Sequence, residues 1–183
     1  MSIINLLIQK IRVYRINRNS ESKCEYLRSL GCKVGKGTRF TGKLSIGSEP
    51  YLIEIGDNCL LSGTIHFHTH DGAVKVLNSA GFFNGEAMDK VARIKIGSNC
   101  FIGNDARIMG GVKIGNNCVV GAGSIVTRSI PDGTVVAGVP AKVICTIQEF
   151  YEKNISRGVF FPTASMSATE KKEFLIKNVP ELL

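Results

Sequence analysis

Large apolar residues recur at every sixth position over much of the chain. In the second half Ile96, Ile102, Ile108, Ile114, Val120 and Val126 keep this step. Two places before each of the last five stand Cys100, Ala106, Val112, Cys118 and Ser124, all small or medium. Gly97, Gly103, Gly115 and Gly121 follow the large positions, with Asn99, Asn104, Asp105, Asn116 and Asn117 close behind. The first half repeats the pattern at Val34, Phe40 and Ile46, then at Ile55, Leu61 and Phe67. The step is nine between Ile46 and Ile55, three residues too many near Ser48-Glu49-Pro50. Between Phe67 and Ile96 it is 29, an insertion of about 23 residues.

A period of six fits neither a helix nor a plain strand. A short strand plus a tight corner produces it, and three such sides close one triangular turn. Side chains alternate along a strand, so the large residue and the small one two places earlier both point inward. Gly, Asn and Asp accept the corner backbone, including positive φ. Twelve such units give four coils of 18 residues. Outside the repeat, Ile4, Leu7, Ile8, Ile11 and Tyr14 form a stripe that predicts a helix over 3–16. Further helices are expected at Ser22–Leu30, stopped by Gly31, at Ile147–Ile155, and at Thr169–Asn178 with Thr169 as N-cap. The domain reading is a helical cap over 1–31, a β-solenoid over 32–144 with an insertion loop at 71–93, and a helical segment over 145–183.

Composition agrees with such a core. Hydrophobic residues make up 44% of the 183, too many for a disordered chain, yet aromatics are only 7%, Trp is absent and Gly numbers 20. The core must be built from Ile, Val and small residues. The formal charge is +8, and residues 1–31, with six basic and two acidic side chains, supply +4 of it. That arm reads as a cap on the open first coil, compatible with weak contact to anionic lipid or glycan. No nucleic-acid motif accompanies the charge. No run of 18 apolar residues exists, and Met1–Ile8 lacks the marks of a secretory signal. The six Cys show no C-x-x-C pair, so the expected place is a reducing cytoplasm, with the inner membrane surface as an option. Cys59, Cys100 and Cys118 occupy the small inward slot, where a thiol is a poor nucleophile.

The stretch IKIGSNCFIGNDARIMGGVKIGNNCVVGAGSIVTRSIPDGTVVAGVPAKVI, residues 94–144, resembles the C-terminal signature of the hexapeptide-repeat acyltransferases. The branch it resembles holds the maltose-acetyltransferase-like and polysaccharide O-acetyltransferase enzymes. The resemblance implies a left-handed parallel β-helix, although the general crossover rule favours the other hand. It also implies a homotrimer with sites between subunits, and acetyl-CoA as donor. Two departures are Gly110, where relatives usually carry Pro, and Phe101, where many carry Trp.

All three His lie within five residues, at His66, His68 and His70. Phe67 takes the large inward slot and Ile65 the small one. His66 and His68 therefore face outward, and His70 falls at the corner where the insertion departs. Acyl transfer to an alcohol needs a base, and neutral imidazole suits that task. In the family an essential His sits where the insertion leaves the coil, and Thr69-His70-Asp71 matches that place. His70 is assigned as general base, with His68 as the alternative. Asp71 is expected to orient the imidazole or bind the acceptor. By resemblance Asn104, Gly121, Ala122, Thr127, Arg128 and Lys142 line the CoA groove, the two cations suiting its phosphates. Phe82, Phe83 and Glu86 of the insertion are expected near the acceptor. A covalent acyl-enzyme is disfavoured, because the thiols and Ser124 point inward. No metal is expected. Three His could bind zinc, and a carbonic anhydrase class shares the fold, but its ligands are spread over coils and subunits and no further His remains here. The reading is O-acetylation of a sugar hydroxyl in capsular polysaccharide or lipopolysaccharide synthesis. The alternatives are N-acetylation of an amino-sugar nucleotide and an inert scaffold.

Overall fold

A computed structural model describes residues 19–179. The six-residue period becomes a three-sided coil of short strands. The first coil holds β1 (Lys33–Val34), β2 (Arg39–Phe40) and β3 (Leu44–Ile46). The second holds β4 (Ile53–Ile55), β5 (Leu60–Leu61) and β6 (Ile65–His68). The third holds β7 (Ile94–Ile96), β8 (Phe101–Ile102) and β9 (Arg107–Met109). The fourth holds β10 (Lys113–Ile114), β11 (Val119–Val120) and β12 (Ile125–Val126). β13 (Thr134–Ala137) lies parallel on β11, and β14 (Lys142–Thr146) then runs antiparallel to β13. The first sheet is ordered β1-β4-β7-β10, the second β14-β13-β11-β8-β5-β2, the third β12-β9-β6-β3.

The register stacks like on like. Ile55 pairs with Ile96 and Ile96 with Ile114 in the first sheet. Leu61, Ile102 and Val120 align in the second, and Phe67, Ile108 and Val126 in the third. All nine are buried, and burying such a side chain contributes roughly 1.5–3 kcal/mol. The small slot beside the second sheet is filled by Thr38, Cys59, Cys100 and Cys118. Each Cys there donates its thiol to a carbonyl one coil onward, Cys59 to Gly97 at 3.1 Å, Cys100 to Gly115 at 3.0 Å and Cys118 to Pro131 at 3.1 Å. A small apolar residue with a weak donor fits this place.

The first coil is closed by α1 (Ser20–Ser29), which follows an N-cap at Asn19. Lys23, only 6% exposed, donates its Nζ to the Gly42 carbonyl at 2.7 Å and the Phe40 carbonyl at 3.4 Å. Arg28 donates to the Val34 and Gly35 carbonyls. These are carbonyls that the edge strands of the first coil would otherwise leave open. The helix expected over 3–16 lies outside the described residues. Among the described residues no helix is long and apolar enough to cross a membrane.

The insertion is not wholly irregular: α2 (Val74–Ser79) forms within it. The chain divides after Ile147 into two units. The second contains most of α3 (Ile147–Ser156) and all of α4 (Ala168–Asn178), and in it Phe160 stacks on Tyr151 with ring centroids 6.3 Å apart. The N-cap of α4 is Ser167 and not Thr169. Ser167 accepts from the Glu170 N–H while the Glu170 carboxylate accepts from the Ser167 N–H, a reciprocal cap that Thr169, inside the first turn, could not form.

Candidate functional site

The alternation of β6 buries Ile65 and Phe67 and leaves His66 and His68 half-exposed on the outer face of the third sheet. The next residues reach the corner toward the first sheet. There Thr69 is buried and His70 exposed. The insertion leaves and returns at this point, and its two ends are tied together. The Asp71 N–H donates to the Lys90 carbonyl, the Ala92 N–H to the Thr69 carbonyl, and His70 bridges Val91 in antiparallel fashion. The tip of the loop is fastened separately, by the Asn78 side chain bonding the backbone of Met88 in both directions.

A cleft of about 110 Å³ opens at this corner, lined among others by His68, His70, Asp71, Met109 and Gly110. The partner of His70 is Glu49. Its Oε2 lies 3.2 Å from Nδ1 of His70, and Ser48 Oγ lies 3.3 Å from the same nitrogen. A carboxylate only accepts, so Nδ1 carries a proton, and in the neutral imidazole the lone pair is then on Nε2. Thr69 holds the carboxylate in place, donating Oγ1 to Oε2 at 2.7 Å. That bond, helped by His70, keeps the Glu49 carboxyl below its usual range. The arrangement can position an imidazole and aim a basic nitrogen outward.

Asp71, expected to orient the imidazole or to bind the acceptor, lines the cleft and is bonded to the insertion. Its carboxylate accepts from Lys90 Nζ at 2.7 Å and from the Ala73 N–H at 3.0 Å, which ties the root of the insertion. The bond from Lys90 holds its carboxyl below the ordinary value. Glu49 is the residue that sequence reasoning missed. Its signal was present in the nine-residue step, where three extra residues carry it past the end of β3 to the corner above His70. His68 is different in kind. Its Nε2 is buried without a hydrogen-bond partner among the described residues. Burial first, then the charges of Arg107, His66 and His70, push its pKa down.

Three of the residues matched to a donor groove come together. Thr127, Arg128 and Lys142 line a second cleft of about 270 Å³ with Pro140, Ala141 and Val143. Asn104, Gly121 and Ala122 are not in its lining. Asn104 instead accepts the Thr64 N–H at 3.0 Å and donates to Asp105. Gly121 and Ala122 form the following corner, where a Cβ on Gly103 would lie 2.5 Å from the Ala122 nitrogen. Phe82 and Glu86 are exposed in the insertion, Phe83 is half-buried, and none of the three lines the His cleft. Among the described residues no group of three or more His, Cys, Asp or Glu is placed to hold a metal ion.

Comparison with known proteins points in one direction. Residues 93–128 match the family described as bacterial transferase hexapeptide (six repeats). Protein CapG of Staphylococcus aureus is 40% identical over 177 residues, which covers 95% of this chain and 98% of that protein. The galactoside O-acetyltransferase of Escherichia coli K12 is 36% identical over 122 residues, covering 66% of this chain and 58% of the enzyme. Among solved structures, a maltose O-acetyltransferase from Clostridium difficile 630 superposes with a TM-score of 0.54 at 29% identity, covering 69% of this chain and 75% of that one.

Proposed function

We infer the activity from one premise: the chain belongs to the hexapeptide-repeat acetyltransferases and is an acyltransferase. We propose that it transfers the acetyl group of acetyl-CoA to a sugar hydroxyl during synthesis of a capsular polysaccharide or lipopolysaccharide. The names of the E. coli and C. difficile relatives, galactoside and maltose O-acetyltransferase, support a saccharide hydroxyl as acceptor. The family supports a left-handed coil and a homotrimer.

The observation that carries the reading is the Glu49–His70 pair at the mouth of the insertion cleft. Glu49 holds Nδ1, so Nε2 of His70 accepts the proton of the attacking hydroxyl. Acetyl-CoA, when bound, supplies an acetyl group already activated as a thioester. The cleft of Thr127, Arg128 and Lys142 fits such a donor, because two cations there match its phosphates. That cleft shares no lining residue with the His cleft of the same chain, which suits a site completed between subunits. The burial of Cys59, Cys100, Cys118 and Ser124 supports direct transfer.

The test is release of CoA thiol with a panel of saccharides. His70→Ala is expected to lower kcat by about 10²–10⁴ with the fold intact. An unchanged rate would remove His70 as base, and loss confined to His68→Ala would move the role there. No thiol release with any saccharide at saturating donor would overturn the activity itself.

A further inference from the structure

The outer face of the third sheet carries more polar function than proton transfer needs. Register places Ser45, His66, Arg107 and Ile125 in one outward row. The next row sets His68 beside Met109. His66 and His68 stack with centroids 6.5 Å apart, and His66 is steadied by Ser45 Oγ at 3.1 Å from Nδ1. Arg107 stands next to them, exposed. Arg93, which directly precedes β7, is paired with Glu54, whereas Arg107, like Arg39 and Arg128, is left without a carboxylate among the described residues. Among the described residues Arg107 has no ion pair and no side-chain hydrogen bond. The acid nearest in sequence, Asp105, is turned to Asn104 and sits 4.0 Å from His66. His68, whose buried Nε2 has no partner among the described residues, lines the His cleft and feels the charges of both Arg107 and His70.

We propose that this face binds an anionic saccharide, with its negative group on Arg107 and a neutral hydroxyl or ring oxygen on His68. The inference rests on His70 being the base and names the substrate class of that same site. His66, the register partner of Arg107, and His70 are four positions apart, at most about 13 Å at about 3.3 Å per residue because the strand ends at His68. A guanidinium reaching back along the face and an imidazole at the corner then bracket one to two sugar rings. A free guanidinium beside half-buried rings favours a planar or tetrahedral oxyanion over a neutral hydroxyl. The anion is a sugar carboxylate or the phosphate of a sugar nucleotide, and the two differ in where the charge sits relative to the reacting hydroxyl.

Calorimetric titration of the full chain with digalacturonate, with its neutral counterpart digalactoside, and with UDP-galactose reads the proposal without turnover. Digalacturonate or UDP-galactose is expected to bind more tightly than the neutral disaccharide, and whichever does so identifies the anion. Arg107→Gln is expected to weaken that binding about tenfold, with partial recovery in Arg107→Lys. In the acetyl-transfer assay the same variant should lower the ratio of kcat/KM for anionic over neutral acceptor by a similar factor. Equal affinity for charged and neutral saccharides, or a ratio that Arg107→Gln leaves in place, overturns the anionic site. Anion binding through Arg107 without any acetyl transfer sinks the proposed activity alone. Transfer that depends on His70 and ignores Arg107 sinks this inference alone.

Discussion

At the corner between the first and second sheets, every coil makes the same turn. Gly37, Asn58, Asn99, Asn117 and Gly133 occupy equivalent places, all with φ between 54° and 70°. One residue earlier, each backbone N–H is met by a side chain from the following coil: Lys36 by Asp57, Asp57 by Ser98, Ser98 by Asn116, and Asn116 by Asp132. At the corner between the third and first sheets the coils disagree. The first adds three residues and a 3-10 turn at Pro50–Leu52, the second adds the insertion, and the third closes tightly through Gly110-Gly111. The first corner is a repeated structural solution. The second breaks the repeat, and Glu49 reaches His70 there because the first two coils deviate, each in its own way, while the third keeps its step.

This contrast predicts that damage at the two corners reads out differently. The largest effect belongs to the irregular one. Glu49→Ala should lower kcat by on the order of 10² with little change in KM or thermal midpoint, and Glu49→Gln, which keeps an acceptor oxygen, should recover part. A fall in stability with unchanged kcat would show that Glu49 is only a brace. At the regular corner, Gly97→Ala should cost about 1–3 kcal/mol in urea unfolding and leave the activity of the folded protein intact, because the new Cβ would sit 2.6 Å from the Gly115 carbonyl oxygen. Asn99→Ala should cost about 1 kcal/mol, from its φ of 58° and its bond to Asn117.

The smallest effect concerns the root of the insertion. The Asp71 carboxyl is held below its ordinary value by Lys90, so its contribution is complete above about pH 4 and is lost as pH falls through the lower folded value. Amide shifts of Asp71 and Ala92, followed from about pH 6 to about pH 2.5, should show that transition. Lys90→Met should move it upward, toward the ordinary carboxylate value. A transition that ignores the substitution would separate Asp71 from the tie.

The same contrast explains what could be read from the sequence. The coil was legible because one slot repeats: a large inward residue, a small one before it, and a corner of Gly or Asn. Phe67 fixed the facing of His66 and His68, and the break at position 70 marked the cleft. Glu49 was illegible as a partner because it is 21 residues from His70 and belongs to another coil. Only the interruption of the period hinted at it. Asp71 shows the converse: it adjoins His70 along the chain, but its side chain is bonded to Lys90. Arg107 carries no signal in the sequence; only the register sets it beside His66.

The antiparallel course of β14 has a consequence of its own. A parallel stack presents the same template at its end as at every rung, so another rung, from this molecule or from a second one, could always be laid on it. A strand that runs the opposite way, with a register shift at Val135/Val136, does not offer that template. With Lys23 and Arg28 occupying the carbonyls at the opposite end, the solenoid resembles a polymer with both an initiator and a chain stopper. Its number of rungs is written into the monomer, and the second sheet offers no parallel edge for growth into filaments.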